Sequence, residues 1–300
     1  MALIASRSAE PPSFSASLAS TRPTSVDSKQ DDDPPTIRFT NVQDLFDTIN
    51  CITEDFLAVT HVSPSHFTEI EREREKQRRK FRFRRYDSDR QILLITIPTA
   101  LHEALHLGLY MGYHTQLARS GRENSWRSIG TATRRAQHGH PRGDGGEGDS
   151  TGGPKLERGT KDAWPTLIIE AGVSESLNGL RNDMRWWFAT SDHQVKIVLL
   201  AKFEHARRAI ILEKWEEEAT GTRPGAMTTR HAAAVQPVLQ QIITITQDLT
   251  ADPVSYNVTS GALVLEFRLL FLRDPGPGEG DFVLSVQQLE GYADDVWAVL

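Results

Sequence analysis

The feature that most constrains this chain is the run from Trp164 to Phe203. An apolar β-type segment, Trp164–Val173, is followed by an amphipathic stretch, Leu177–Phe188, and then by a second apolar β-type segment, Gln194–Phe203. Apolar runs without polar alternation suit strands covered on both faces. Strand, helix and strand in that order imply a right-handed crossover between them. The fold class expected is therefore α/β. Arg208–Trp215 reads as a third strand, and Gln91–Pro98, a β-branched run stopped by proline, as another. Between them, Leu101, Leu105, Leu107, Leu109, Met111 and Leu117 give a helix over 99–118 an apolar stripe, with Thr99 as its cap.

The flanks divide by composition. Residues 1–36 are rich in Ser, Pro and Thr and bury too little apolar surface to offset ordering entropy, so a disordered tail is expected. Residues 37–90 read as a helical and basic segment. From Ile37 to Val59 apolar residues recur at helical spacing behind Asn41, a capping type. Residues 91–216 form the expected core, and 217–300 a β-rich extension that continues the sheet or covers it. Within that extension Thr220–Val235 is a polar connection, Val238–Thr246 and Ala262–Leu272 are strands, and Phe282–Leu300 is a strand or helix. Trp126–Thr131 predicts a short strand. Gly143–Pro154, glycine-rich and acidic, suits a flexible linker or a catalytic loop. It lacks the Gly-Lys-Ser/Thr ending of a nucleotide-binding P-loop.

A net charge of −6 means that nucleic-acid affinity needs a local positive patch. Residues 72–85 offer one, interleaved with Phe81 and Phe83, in which cations could track phosphates while rings stack on bases. The same stretch also reads as an exposed helix leading into an edge strand. A single cysteine, Cys51, excludes a disulfide framework and a polythiolate zinc site, and fits an intracellular setting, cytoplasmic or nuclear. No run approaches the roughly 18 apolar residues of a membrane span, so no membrane partner is expected. Glu10, Pro11 and Pro12 interrupt the opening apolar residues too early for a secretory signal.

Two constellations could carry chemistry. His102, Glu103 and His106 match H-E-x-x-H on the predicted helix, where four-residue spacing sets both imidazoles on one face. They could hold Zn²⁺ there while the glutamate activates its water. Glu123, His138 and His140 are candidates for the third ligand, and the plain alternative is a helix whose histidines line a polar face. The second constellation is Asp149 with Glu170. Carboxylates converging on one hydrated Mg²⁺ or Mn²⁺ are what hydrolysis of a phosphodiester requires. A strand-end glutamate paired with Arg or Lys is the structural alternative. Ser174 and Ser176 suit capping of the following helix, Trp186 and Trp187 suit packing, and Asp183 and Asp192 read as solvated or turn residues.

The segment Trp164–Ser176, with Leu180–Trp187 and Val195–Leu200, resembles a group of fungal proteins. These are similar in turn to the PD-(D/E)XK restriction-endonuclease-like superfamily, particularly a bacterial branch with the pattern P-D-x-x-x-E-V-x-S-x-S. The resemblance implies a restriction-endonuclease-like mixed sheet flanked by helices and a metal-dependent nuclease. Glu170 then matches the strand glutamate, Asp149 the preceding metal-binding aspartate, and Glu103 the acid that some members carry on the first core helix. All three would bind Mg²⁺ or Mn²⁺. Thr166 and Gly172 depart from the pattern, the latter standing where E-x-K has lysine. Lys196 and Lys202 are the replacements, with Arg181 and Arg185 behind them. The implied function is nucleic-acid hydrolysis or a degenerate descendant of it. A zinc hydrolase built on His102 and His106 and a non-catalytic interaction module are the alternatives.

Overall fold

The computed structural model describes residues 35–130, 132–136, 143–219 and 235–300. His138, His140 and nearly all of the expected tail and of the 220–235 connection lie outside them.

Along the chain, β1 (Thr36–Arg38) leads to α1 (Val42–Cys51), capped as expected by Asn41, whose side chain accepts from the Asp44 amide at 2.9 Å. The helix is shorter than the one expected over 37–59. It gives way because Phe56–Thr60, buried at four successive positions, forms β2, and a strand covered on both faces hides more of that run than a helix could. α2 (Pro64–Gln77) begins behind Ser63 with proline in its first turn, where the missing amide costs nothing. β3 (Arg82–Asp87) and β4 (Ile92–Thr96) make a hairpin, and α3 (Ala100–Arg119) starts from Thr99 as the sequence predicts.

Short strands follow: β5 (Trp126–Ser128), β6 (Arg134–Arg135), β7 (Gly145–Gly146) and β8 (Ser150–Pro154), then β9 (Leu167–Gly172). α4 (Leu177–Thr190), capped by Ser176, crosses to β10 (Ile197–Glu204), which continues through β11 (Ala209–Ala219) and β12 (Val235–Asp248). β13 (Ser255–Val258), β14 (Leu263–Leu265), α5 (Phe267–Phe271), β15 (Phe282–Leu284) and α6 (Val286–Trp297) complete it. The single strand expected over Ala262–Leu272 is thus split. Phe267, Leu270 and Phe271 are buried at helical spacing, so that stretch turns into α5.

Two large mixed sheets result. The first has the order β1-β2-β4-β3-β7-β6, the second β13-β12-β11-β10-β9-β8-β5. β9 and β10 are parallel, as the strand–helix–strand reading requires, and the other pairs of the second sheet are antiparallel. Residue parity divides the second sheet's faces. Leu167, Ile169 and Ala171 with Ile197, Leu199 and Ala201 pack under α3 and α6, whereas Ile168, Val198 and Leu200 pack under Leu180, Met184 and Trp187 of α4. The Tyr292 hydroxyl on α6 donates to the Leu105 carbonyl of α3 at 3.0 Å.

Three expectations need correcting here. β3 is not an edge strand, because β4 and β7 flank it. β4, expected in the core from residue 91, pairs in the first sheet instead. The glycine-rich run is not a flexible loop: every residue from Asp144 to Pro154 is buried. Its glycines permit close packing, since a Cβ on Gly152 would lie 2.4 Å from Trp126 Nε1.

Candidate metal centre and its acidic surround

α3, β3 and the turn before β8 bring the chemistry together. Thr99 fixes the start of α3, so that His102 and His106, four residues apart, both turn inward and are buried. His106 Nδ1 lies 2.8 Å from Ser150 Oγ, which leaves Nε2 facing the acids. Asp149, buried one residue before β8, places Oδ2 3.2 Å from His102 Nε2 and accepts from the Ala171 amide at 2.9 Å. His102, His106 and Asp149 each offer a ligand atom, all within 4.8 Å of one another. Neither ring nitrogen of His102 has a well-formed hydrogen bond, although both are buried. Two imidazoles, one of them without a well-formed hydrogen bond, and a carboxylate make a donor set that fits a metal ion.

Glu103 is part of the same group. Its Oε1 lies 3.2 Å from His106 Nε2 and accepts from Arg82 Nη2 at 2.7 Å, while Arg82 Nη1 reaches Asp149 Oδ1 at 3.1 Å. Burial draws the His102 imidazole down, but the negative charge of Asp149 beside it outweighs this and pushes it up to about 9. Burial would raise Asp149, yet His102 holds it well below the usual carboxylate range. Glu103 is lowered likewise, with the neighbouring His102 and His106 imidazoles and the Arg82 guanidinium overcoming burial.

Glu170 stands beside this cluster, not within it. It projects to the α4 side of β9, where its Oε1 accepts from Trp187 Nε1 at 2.5 Å. Arg84 joins it to Asp149. The pairing of β3 with β4 shifts between Phe83 and Arg85, so Arg84 is the extra residue of a bulge, a device that re-aims a side chain. Its guanidinium, 2% exposed, meets Asp183 at 2.5 Å, Glu175 at 3.1 Å, Glu170 at 3.7 Å and Asp149 at 3.9 Å. Burial raises Glu170 well above the usual range despite Arg84, and raises Glu175 to about 8. Asp183, read from the sequence as solvated, is buried and also paired with Arg85 at 2.9 Å, which corrects that reading. Asp192, with φ of 51°, is the turn residue expected.

The remaining candidates scatter. At Gly172 a Cβ would lie 3.2 Å from Leu180, a close contact that a lysine there would have to push aside. Lys202 on β10 pairs opposite Gly172, and its Nζ donates to the Val173 carbonyl at 2.5 Å. Lys196 precedes β10 at the other end, and its Nζ donates to the His193 carbonyl at 2.7 Å. Arg181 is committed to the buried Glu213 and Arg185 to Asn182. Glu123 begins a short turn beyond the far end of α3, so it does not supply the third ligand. Trp186 and Trp187 pack edge to face at 4.8 Å.

The basic run is divided between inward and exposed side chains, with Arg72 and Lys76 on the exposed side. Arg74 makes a two-point contact with buried Glu147, and Arg82 and Arg84 serve the acids above. Arg78 and Lys80 are exposed too, and with Arg74, Arg79, Phe81 and Arg82, and with the acids Glu75 and Glu147, they line a cleft of about 400 Å³. The sequence did not single out Arg82, Arg84, Glu175 or Ser150. The only available signal was that Arg82 and Arg84 alternate with phenylalanines on a predicted strand.

No protein-family model matches this chain, and no curated protein matches it either. Fold and site together define a mixed α/β protein with a buried His-His-Asp group able to bind a metal ion. Among the described residues no helix is long and apolar enough to cross a membrane.

Proposed function

We propose that this chain is a metal-dependent phosphodiesterase of PD-(D/E)XK-like type acting on nucleic acid, with its cation held by Asp149, His102 and His106. One observation carries the reading. Asp149, the residue that the resemblance gives to the metal, is the carboxylate standing 3.2 Å from His102 and clustered with His106. Glu103 on α3 and Glu170 on β9 occupy the elements on which the resemblance places its other acids.

A bound divalent cation would supply charge neutralisation at the phosphate and a more acidic water. The chain's own groups do the rest. Asp149 and the imidazoles would hold the cation, and the contact between Ser150 Oγ and His106 Nδ1 holds that ring's orientation. Glu103 is 30% exposed at its side chain and held ionised, so it is a weak base that orients a water more readily than it deprotonates one. Arg82 is placed to meet an anionic oxygen. Glu170, tied to Trp187 and Arg84, supports Asp149 from behind.

The H-E-x-x-H reading draws support from the same pair of histidines, and it differs in making zinc essential and phosphate incidental. Cleavage of single- and double-stranded DNA and RNA in Mg²⁺, Mn²⁺ and Zn²⁺ tests both. The expected result is cleavage by wild type that Asp149→Asn abolishes. Hydrolysis of peptide or ester substrates alone would select the zinc hydrolase, and salt-sensitive binding with no hydrolysis under any condition would select the interaction module.

A further inference from the structure

Arg82 faces two ways. At its tip, Nη1 lies 3.1 Å from Asp149 Oδ1 and 3.3 Å from His106 Nε2, and Nη2 lies 2.7 Å from Glu103 Oε1. The same residue lines the cleft that Arg74, Arg78, Arg79 and Lys80 share with Glu75 and Glu147, a lining that is basic on balance. Nη1 therefore stands against two of the three groups that could ligate a metal. A guanidinium keeps its charge at any ordinary pH, so it cannot make way by losing a proton. Two cations so close together, both desolvated, repel strongly.

We infer that Arg82 is a resident cation that a divalent metal must displace, and that its guanidinium then turns into the basic cleft to hold an anionic oxygen of a polyanion. The inference rests on the reading of His102, His106 and Asp149 as metal ligands. Without a polyanion the acids hold Arg82 and metal binding is weak. A polyanion in the cleft draws Arg82 away and vacates the donors. Metal and polyanion thus favour each other's binding by the same factor, as linkage requires. Arg82 acts as a positioning residue, and its effect is visible in binding without turnover.

The test is calorimetric titration of Zn²⁺ and Mn²⁺ into the full chain, as wild type, Arg82→Gln, Arg82→Lys and His102→Ala. Each is measured with and without a heparin hexasaccharide, an uncleavable polyanion, and corrected for metal taken up by the sugar itself. Arg82→Gln should bind metal about tenfold tighter than wild type, a typical coupling. Arg82→Lys should resemble wild type, and His102→Ala should bind poorly. The hexasaccharide should tighten metal binding to wild type about tenfold and leave Arg82→Gln nearly unchanged. His102-dependent binding that is no tighter in Arg82→Gln overturns this inference alone. Absence of metal binding in both overturns the metal centre and the inference with it. If Arg82→Gln does not fold, an unchanged wild-type affinity in the presence of hexasaccharide overturns the inference.

Discussion

Replacing Arg84 with methionine removes the one guanidinium that touches Asp149, Glu170, Glu175 and Asp183 together. At a separation of about 4 Å each contact has a gross attraction of about 4 kcal/mol in a medium of effective dielectric 20, and desolvation cancels much of it. Breaking a buried pair from one side leaves acids uncompensated, and the net loss expected is about 3–5 kcal/mol. Asp183 keeps Arg85 and Asp149 keeps Arg82, so the burden falls on Glu170 and Glu175. Both already sit above the usual carboxylate range, and without Arg84 both rise further. Protonation then relieves the damage, so the loss should be larger at pH 8 than at pH 5. Urea denaturation at the two values, followed by tryptophan fluorescence, measures it. A melting temperature lowered by about 6–20 °C at pH 8 corresponds to that range. A loss under about 1 kcal/mol at pH 8, or one that does not shrink at pH 5, would refute the account of Arg84 as the cluster's counter-ion.

Two further outcomes follow from the same geometry. Glu175 has a folded-state pKa raised to about 8, so its contribution is fully present below the unfolded value and is lost as pH rises through 8. Glu175→Gln should therefore melt higher than wild type at pH 8.5 and no higher at pH 4, and a pH-independent difference between the two would count against that assignment. Gly152→Ala drives a methyl into the Trp126 ring 2.4 Å away and should cost about 1–3 kcal/mol, checked by thermal melting, with an unchanged melting temperature as the contrary result.

The second sheet was legible where one physical signal dominated. β9, α4 and β10 follow from two apolar runs around an amphipathic one, and Thr99, Asn41 and Ser176 cap the helices they precede. Of the site, the imidazole pair was readable because helical spacing alone puts His102 and His106 on one face. Asp149 was singled out with Glu170 as a carboxylate pair, not as a partner of the histidines. Its meeting with the histidines depends on a turn before β8 that no local pattern encodes. Arg84 was unreadable for a different reason. Strict alternation along Phe81–Arg85 predicts aromatics inside and arginines outside, but Arg82 turns to the acids of α3 and of the turn before β8, and the bulge carries Arg84 inward as well. The glycine-rich segment misled because glycine signals freedom and close packing equally. Asp183 looked solvated because a charge on a helix usually is, and its two arginines come from β3, far away in sequence.

The contact between Tyr292 and the Leu105 carbonyl joins residues 187 positions apart, on the same turn of α3 that carries the histidine pair. On the ribosome, that turn is made long before the helix that steadies it. Until α6 arrives, the helix that carries two imidazoles and a glutamate rests on β9 and β10 without the contact that holds its histidine-bearing turn from the other side. Contacts of such long range form slowly and late in folding. The setting of the histidine pair is therefore tied to the arrival of α6 as well as to formation of α3 itself.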